Sequence, residues 1–284
     1  RRACESLHHR SRPARGYRDF PLLTTDAAAM PDTVLTEHRD GVLVVTLNRP
    51  AKKNAIDNGM WRTIVEVFTG AAADESVACV LLTGAGENFS AGVDLSSFAD
   101  PGQDGGEPPF YAAAEAVAAF DKPLVAAAQG VAVGGGATVL FHADVVYVGE
   151  SLRLRLPFAS LGLVPEWASS YMLQANIGAQ RAAELFYTAE WVDAARALEC
   201  GIAARVIPDA NLFDHALAKS AEIAQWPVNA LRETKRCLRL HHRDAIAAAF
   251  AAERAGMERQ AGSPENLEAL AAFLEKRAPD FRRR

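Results

Sequence analysis

The chain has 284 residues, half of them hydrophobic and 23% charged, which suits one large globular domain or two small ones with a sizeable core. Its formal net charge of −5 leaves no electrostatic footprint for nucleic acid. No apolar stretch reaches a membrane-spanning length, because Lys122, Pro123, Gln129 and His142 interrupt the most apolar region.

Residues 1–29 differ from the rest, with six arginines against three acids. They read as a disordered N-terminal extension, a mitochondrial presequence being the other reading. The foldable pattern begins at Thr33. Residues 34–37 and 42–47 read as strands around the Asp40-Gly41 turn. A lysine-bearing loop follows at 51–54, then a helix from Asp57 to about Ala72 with Trp61, Ile64, Val65 and Phe68 on one face. A buried strand at 77–83 leads into the turn F-S-A-G-V-D-L at 89–95. The loop 100–109, rich in Gly and Pro, is expected to be mobile. Helix 110–120, strand 124–129, a triple glycine (Gly134, Gly135, Gly136) and helix 136–142 come next, followed by strands at 145–148 and 152–156. Strands alternating with helices predict an α/β core with crossover connections. Beyond Pro165 the pattern is helical, at 166–176, 179–187, 193–199, 211–225, 228–240, 244–261 and 265–276, apart from a strand at 203–207. Ser263-Pro264-Glu265 is a well-formed start for the last helix.

The four cysteines (Cys4, Cys79, Cys200, Cys237) share no metal-ligand or disulfide-like spacing. Cys79 reads as a small buried hydrophobe, and the set as a reducing compartment, the cytoplasm first and the mitochondrion second. The sequence holds no G-x-S-x-G elbow, no phosphate-binding G-x-x-x-x-G-K-[ST] loop and no H-E-x-x-H. Gly84-Ala85-Gly86 follows a strand without the third glycine of a dinucleotide fingerprint. The histidines lack helical metal-ligand spacing, and His142 reads as a satisfied helix-end histidine, so no metal is expected. What remains is the two glycine turns, each following an apolar strand. Such turns connect strands to helices in many proteins, but a pair of them can also aim two backbone N–H groups at one carbonyl oxygen, as an oxyanion hole requires.

The ordered set L-N-R-P-A-K-K-N-A at 47–55, F-S-A-G-V-D-L at 89–95 and K-P-L-V-A-A-A-Q-G-V-A-V-G-G-G at 122–136 resembles the crotonase (enoyl-CoA hydratase/isomerase) superfamily. A-D-V-V-Y-V-G-E at 143–150 and A-F-L-E-K-R-A-P-D-F at 272–281 extend the likeness over about residues 33–281. The resemblance implies a ββα spiral core (30–225) with a C-terminal helical trimerisation region (226–284), and a homotrimer or dimer of trimers. It implies acyl-CoA substrates and no cofactor beyond the coenzyme A of the substrate itself. It also implies a thioester oxygen held by the N–H groups of Val93 and Gly135, and a CoA moiety surrounded by Lys52, Lys53, Ala55, Ala91, Asp94 and Leu95. For the two lysines, a solvated loop is an equally good reading.

Hydration of a double bond calls for two carboxylates. The positions where hydratases of this family carry them are Thr138 and Phe158 here, so efficient hydration is not expected. The segment P-F-A-S-L-G-L-V-P-E-W-A-S-S-Y at 157–171 resembles instead the peroxisomal-type Δ3,Δ2-enoyl-CoA isomerases, with Glu166 at their catalytic glutamate and Trp167 in place of a glycine. A glutamate after proline is also favoured at a helix start by the helix dipole alone. Burial beside Leu163, Val164 and Trp167 would raise the Glu166 pKa and a helix N-terminus would lower it, a balance the sequence leaves open. The expected activity is isomerisation of an enoyl-CoA. Thioester hydrolysis or another crotonase reaction, or a non-catalytic acyl-CoA-binding scaffold, are the alternatives.

Overall fold

The computed structural model describes residues 32–94 and 108–282. The extension 1–29, Leu95 and nearly all of the 100–109 loop lie outside the described residues.

Strands β1 (Val34–Arg39) and β2 (Val42–Leu47) form an antiparallel hairpin. Asp40 and Gly41 both take positive φ, 46° and 82°, which matches the right-handed twist of the paired strands. Helix α1 (Asn58–Ala73) starts where Asp57 accepts a hydrogen bond from the Met60 N–H, and it buries Trp61, Ile64 and Phe68. Then come β3 (Cys79–Gly84), α2 (Pro109–Ala119) and β4 (Leu124–Ala128). A short strand not foreseen from sequence, β5 (Val131–Val133), separates β4 from the triple glycine. The predicted helix 136–142 is one turn of α-helix, α3 (Gly135–Thr138), tightening into a 3-10 turn at Val139–His142.

Strands β6 (Val145–Gly149) and β7 (Arg153–Arg155) follow, then helices α4 (Ser169–Ile177) and α5 (Ala179–Thr188), a second unforeseen strand β8 (Trp191–Asp193), helix α6 (Ala194–Cys200) and strand β9 (Arg205–Ile207). Helices α7 (Asp209–Ala224), α8 (Val228–Arg239), α9 (Arg243–Gln260) and α10 (Pro264–Leu274) complete the order. Ser263 caps α10 by accepting from the Asn266 N–H, with Pro264 at the first helical position as expected.

The strands make a six-stranded sheet in the order β1-β2-β3-β4-β6-β9, parallel from β2 onward, and a three-stranded sheet β5-β7-β8. Alternation along β2 explains why it is apolar at every position but Thr46. Leu43, Val45 and Leu47 face the main core with α1, whereas Val42 and Val44 meet Leu212 and Ala216 of α7 on the other face. Cys79 is buried on that second face, and burial pushes its thiol up to about 12. Residues from Asp32 onward form one compact unit. Long basic side chains tie α8 to the core. Lys235 donates to the Lys122 carbonyl and to Asp144 at 2.7 Å each, and Arg239 donates to the carbonyl of His142 at 2.6 Å. Among the described residues, no helix is long and apolar enough to cross a membrane.

Candidate active site

The two glycine turns interlock. The Ser90 N–H donates to the Val131 carbonyl and the Val133 N–H to the Ser90 carbonyl, so the first turn runs beside β5. Gly92 sits at φ 85°, and a Cβ there would overlap the Val133 carbonyl oxygen and lie 3.4 Å from the Gly135 nitrogen. A Cβ on Gly136 would come within 2.5 Å of the Ser90 carbonyl oxygen. Glycine is therefore required at both positions because two backbones meet there. The contact brings the Val93 and Gly135 segments together. Among the described residues, neither N–H finds a backbone or side-chain acceptor.

The lysine loop lies against the first turn. A 3-10 turn at Pro50–Lys52 leads into Lys53 and Asn54, both left-handed at φ 50° and 53°. Asn54 holds this shape: its amide donates to the carbonyls of Ala85 and Asn88, and its Oδ1 accepts from the Arg49 N–H. The Ala91 N–H donates to the Lys53 carbonyl, Ile56 N–H to Gly92, and Asp94 N–H to Ile56. Lys52 and Lys53 are exposed, whereas Ala55, Ala91 and Asp94 are wholly or partly buried where the two segments run together. The Asp94 carboxylate pairs with Arg49 at 2.9 Å, and Arg49 also lies 3.3 Å from Asp57 and donates to the Ala55 carbonyl. Sequence reasoning missed Arg49, Asn54 and Ser90 as the framework of this site, although all three stand inside the motifs it used.

Glu166 stands at the second turn, but not at a helix start. Helix α4 begins at Ser169, three residues later than expected from the pattern. Trp167 and Ala168 intervene, both left-handed at φ 61° and 50°. The N–H groups around the start of the helix are taken up by other partners than the Glu166 carboxyl: that of Ser169 donates to the Glu166 carbonyl, and those of Ala168 and Ser170 donate to Glu253 of α9 at 2.7 and 2.8 Å. This settles the balance of effects on Glu166. Burial, reinforced by the nearby Glu253 carboxylate, pushes its pKa up to about 8. A Cβ added at Gly135 would lie 3.4 Å from Glu166 Oε1, 3.5 Å from the Trp61 ring and 3.6 Å from the Phe110 ring. The carboxyl and the Gly135 backbone thus share one apolar recess.

Aromatic rings wall that recess. Trp61 lies edge-on to Phe110 with centroids 5.3 Å apart and tilts against Trp167 at 5.7 Å. Trp167 is left-handed at φ 61°, a conformation that glycine would adopt without strain. A left-handed tryptophan costs about 1–2 kcal/mol. Burying its indole at the meeting point of Trp61, Phe110 and His142 offsets that cost. His142 is buried and neutral, its pKa pushed down to about 4 chiefly by burial. Its Nε2 donates to the Trp167 carbonyl at 2.6 Å, while Nδ1 is unpartnered among the described residues, so the expectation of a satisfied histidine holds for one nitrogen. Thr138 is buried at the end of α3, and Phe158 is buried with its ring tilted against Phe186. Neither position presents a carboxylate.

The chain is similar to known proteins along nearly its whole described length. The family model for enoyl-CoA hydratase/isomerase matches residues 37–284. The 2,3-dehydroadipyl-CoA hydratase of Escherichia coli (strain K12) is 32% identical over 255 residues, covering 88% of this chain and 99% of its own. The enoyl-CoA delta isomerase 2 of Homo sapiens is 32% identical over 254 residues, covering 87% of this chain and 64% of its own. The crystal structure of an enoyl-CoA hydratase/isomerase from Pseudoalteromonas atlantica T6c superposes with a TM-score of 0.85 at 34% identity, covering 88% of this chain and 99% of that one. Relatives named as a hydratase and as an isomerase match at the same 32% identity, so these likenesses do not choose between the two reactions. Matched by that family model over most of its length and by these relatives across its fold, the chain belongs to the enoyl-CoA hydratase/isomerase family of the crotonase superfamily.

Proposed function

We propose that this enzyme is a Δ3,Δ2-enoyl-CoA isomerase with Glu166 as its single acid–base group. The observation that carries the reading is a high-pKa carboxyl beside Gly135, in a site whose two hydratase positions are Thr138 and Phe158. The Glu166 carboxylate removes a C2 proton from a 3-enoyl thioester. Electrons flow onto the thioester oxygen, and the N–H groups of Val93 and Gly135 hold the resulting dienolate; each such donor is worth roughly 10²–10³ in rate. Glu166 returns the proton to C4 as the electrons fall back, leaving the double bond between C2 and C3. No water is consumed and no cofactor takes part. Among the described residues, the CoA moiety lies along Lys52, Lys53, Ala55, Ala91 and Asp94. Because Asp94 is tied to Arg49, it shapes this entrance with its charge already paired.

The test is a side-by-side assay of 3-enoyl-CoA, 2-enoyl-CoA and saturated acyl-CoA. A double-bond shift on the first, with no hydration of the second and no CoA release from the third, is the expected outcome. Glu166→Gln should abolish the shift while still binding the CoA ester; full activity in that variant would remove Glu166 from the reaction. The same reading has the enzyme assembling as a homotrimer or dimer of trimers. Exposed Leu238 of α8 and Leu267, Phe273 and Leu274 of α10 support it, as apolar surface that a second copy would cover.

A further inference from the structure

Glu253 lies 87 positions beyond Glu166, in an alanine-rich helix that no motif singles out, yet it is only 7% exposed and its carboxylate is fully used. Oε2 accepts from the Ala168 N–H and Oε1 from the Ser170 N–H. Ala168 is the residue before α4 and has no side-chain oxygen, so Glu253 supplies from another helix the cap that α4 lacks. Between Glu166 and this clamp lie the two left-handed residues Trp167 and Ala168, with the Trp167 carbonyl held by His142. The chain on the C-terminal side of Glu166 is thus pinned by two side chains at three backbone groups, the Trp167 carbonyl and the Ala168 and Ser170 N–H groups. No hydrogen bond from the described residues restrains the Glu166 carboxyl itself. Its position over the Gly135 turn follows from the backbone that carries it.

We propose that Glu253 is a positioning residue for proton transfer: by bridging the Ala168 and Ser170 N–H groups it locks the Trp167–Ala168 turn and thereby places the Glu166 carboxyl against the substrate's C2 and C4. This rests on the reading of Glu166 as the base. Glu253 is also the anion that adds to the effect of burial on Glu166. The other titratable groups nearby face elsewhere or carry no charge. His142 is neutral, His242 is bonded to the Tyr171 hydroxyl, and Arg254 of α9 pairs with Glu115 of α2.

The experiment compares Glu253→Gln, Glu253→Asp and Glu166→Gln with the parent enzyme on 3-enoyl-CoA across pH. Glutamine can accept only one of the two N–H groups, and aspartate keeps the charge but falls one methylene short. In both, kcat should drop about 10- to 100-fold, the range a misplacement near 1 Å produces, while KM stays within about 3-fold. The pH at which kcat/KM levels off should fall in Glu253→Gln and stay put in Glu253→Asp. Adding Ala168→Gly to Glu253→Gln relieves the left-handed residue and should restore melting temperature without restoring kcat. Unchanged kcat in folded Glu253→Gln, or recovery of kcat together with stability in the double variant, would overturn the proposal. If Glu166→Gln itself keeps full activity, the reading beneath it fails instead, and that result is separate from the Glu253 measurements.

Discussion

A carboxyl group in water is a weak base, and the proposed removal of a C2 proton at neutral pH calls for a stronger one. Glu166 becomes stronger because its charged form loses solvent in a recess of aromatic rings. In the free enzyme kcat/KM should therefore rise about tenfold per pH unit and level off above about pH 8, as a pH–rate profile would show. The same shift acts on stability. The pKa is raised on folding, so the folded chain binds this proton more tightly than the unfolded chain. Stability from this group is intact below the usual carboxylate range and is lost as pH rises to about 8. Glu166→Gln should thus melt at least about 2 °C above the parent at pH 9 and match it near pH 4, by calorimetry. A parent that outlasts the variant at pH 9 would contradict the buried-acid picture. Trp167 is the neighbouring test. Trp167→Gly removes the left-handed cost but also a buried indole, and burial is the larger quantity. A net loss of about 2–4 kcal/mol in urea unfolding is expected. Glu166 as a candidate base could be read in the sequence because it stands in a local segment; its proton affinity could not, because desolvation depends on rings from α1 and α2, 50 and more residues upstream.

Two turns that meet backbone to backbone behave as one element. Ser90 links them through its N–H and carbonyl, and its Oγ donates to the Asn54 carbonyl and accepts from the Gly92 N–H, drawing the lysine loop into the same assembly. Gly136→Ala would push a methyl into Ser90 and separate the turns. A loss of roughly 3 kcal/mol or more is expected, read by urea melts, with activity falling further than stability because Gly135 shifts too. Gly70 of α1, with nothing within 4 Å of an added Cβ, is the control: Gly70→Ala should be neutral or slightly stabilising. The longer elements were readable from periodicity, since α1 and the six-stranded sheet bury regular faces. Strands β5 and β8 were not, because each is held as a strand by pairing with β7 in the three-stranded sheet and not by a pattern of its own. The late start of α4 escaped for a related reason: Pro165-Glu166 resembles a helix start locally, but the capping group comes from α9.

In the whole molecule, the C-terminal helices serve the site as well as the surface. α9 reaches Glu166's loop through Glu253, and Gly256 on the same helix leaves room for Val164, whose side chain an added methyl would meet at 3.1 Å. Sedimentation equilibrium should return three or six times the 30.5 kDa chain mass, and Leu267→Glu with Phe273→Glu should lower it. A single-chain mass for the parent would discard the assembly proposed above. The α/β class, most of the element order and the glycine turns reside in contiguous segments, where periodicity, turn chemistry and residue identity suffice to read them. The meeting of Gly92 with Val133, the tryptophan at a left-handed position, the high-pKa Glu166 and its clamp by Glu253 could be decided only by folding. Each depends on burial and on backbone groups that lie between about 20 and 100 residues apart in the chain, and no local pattern encodes which of them will meet.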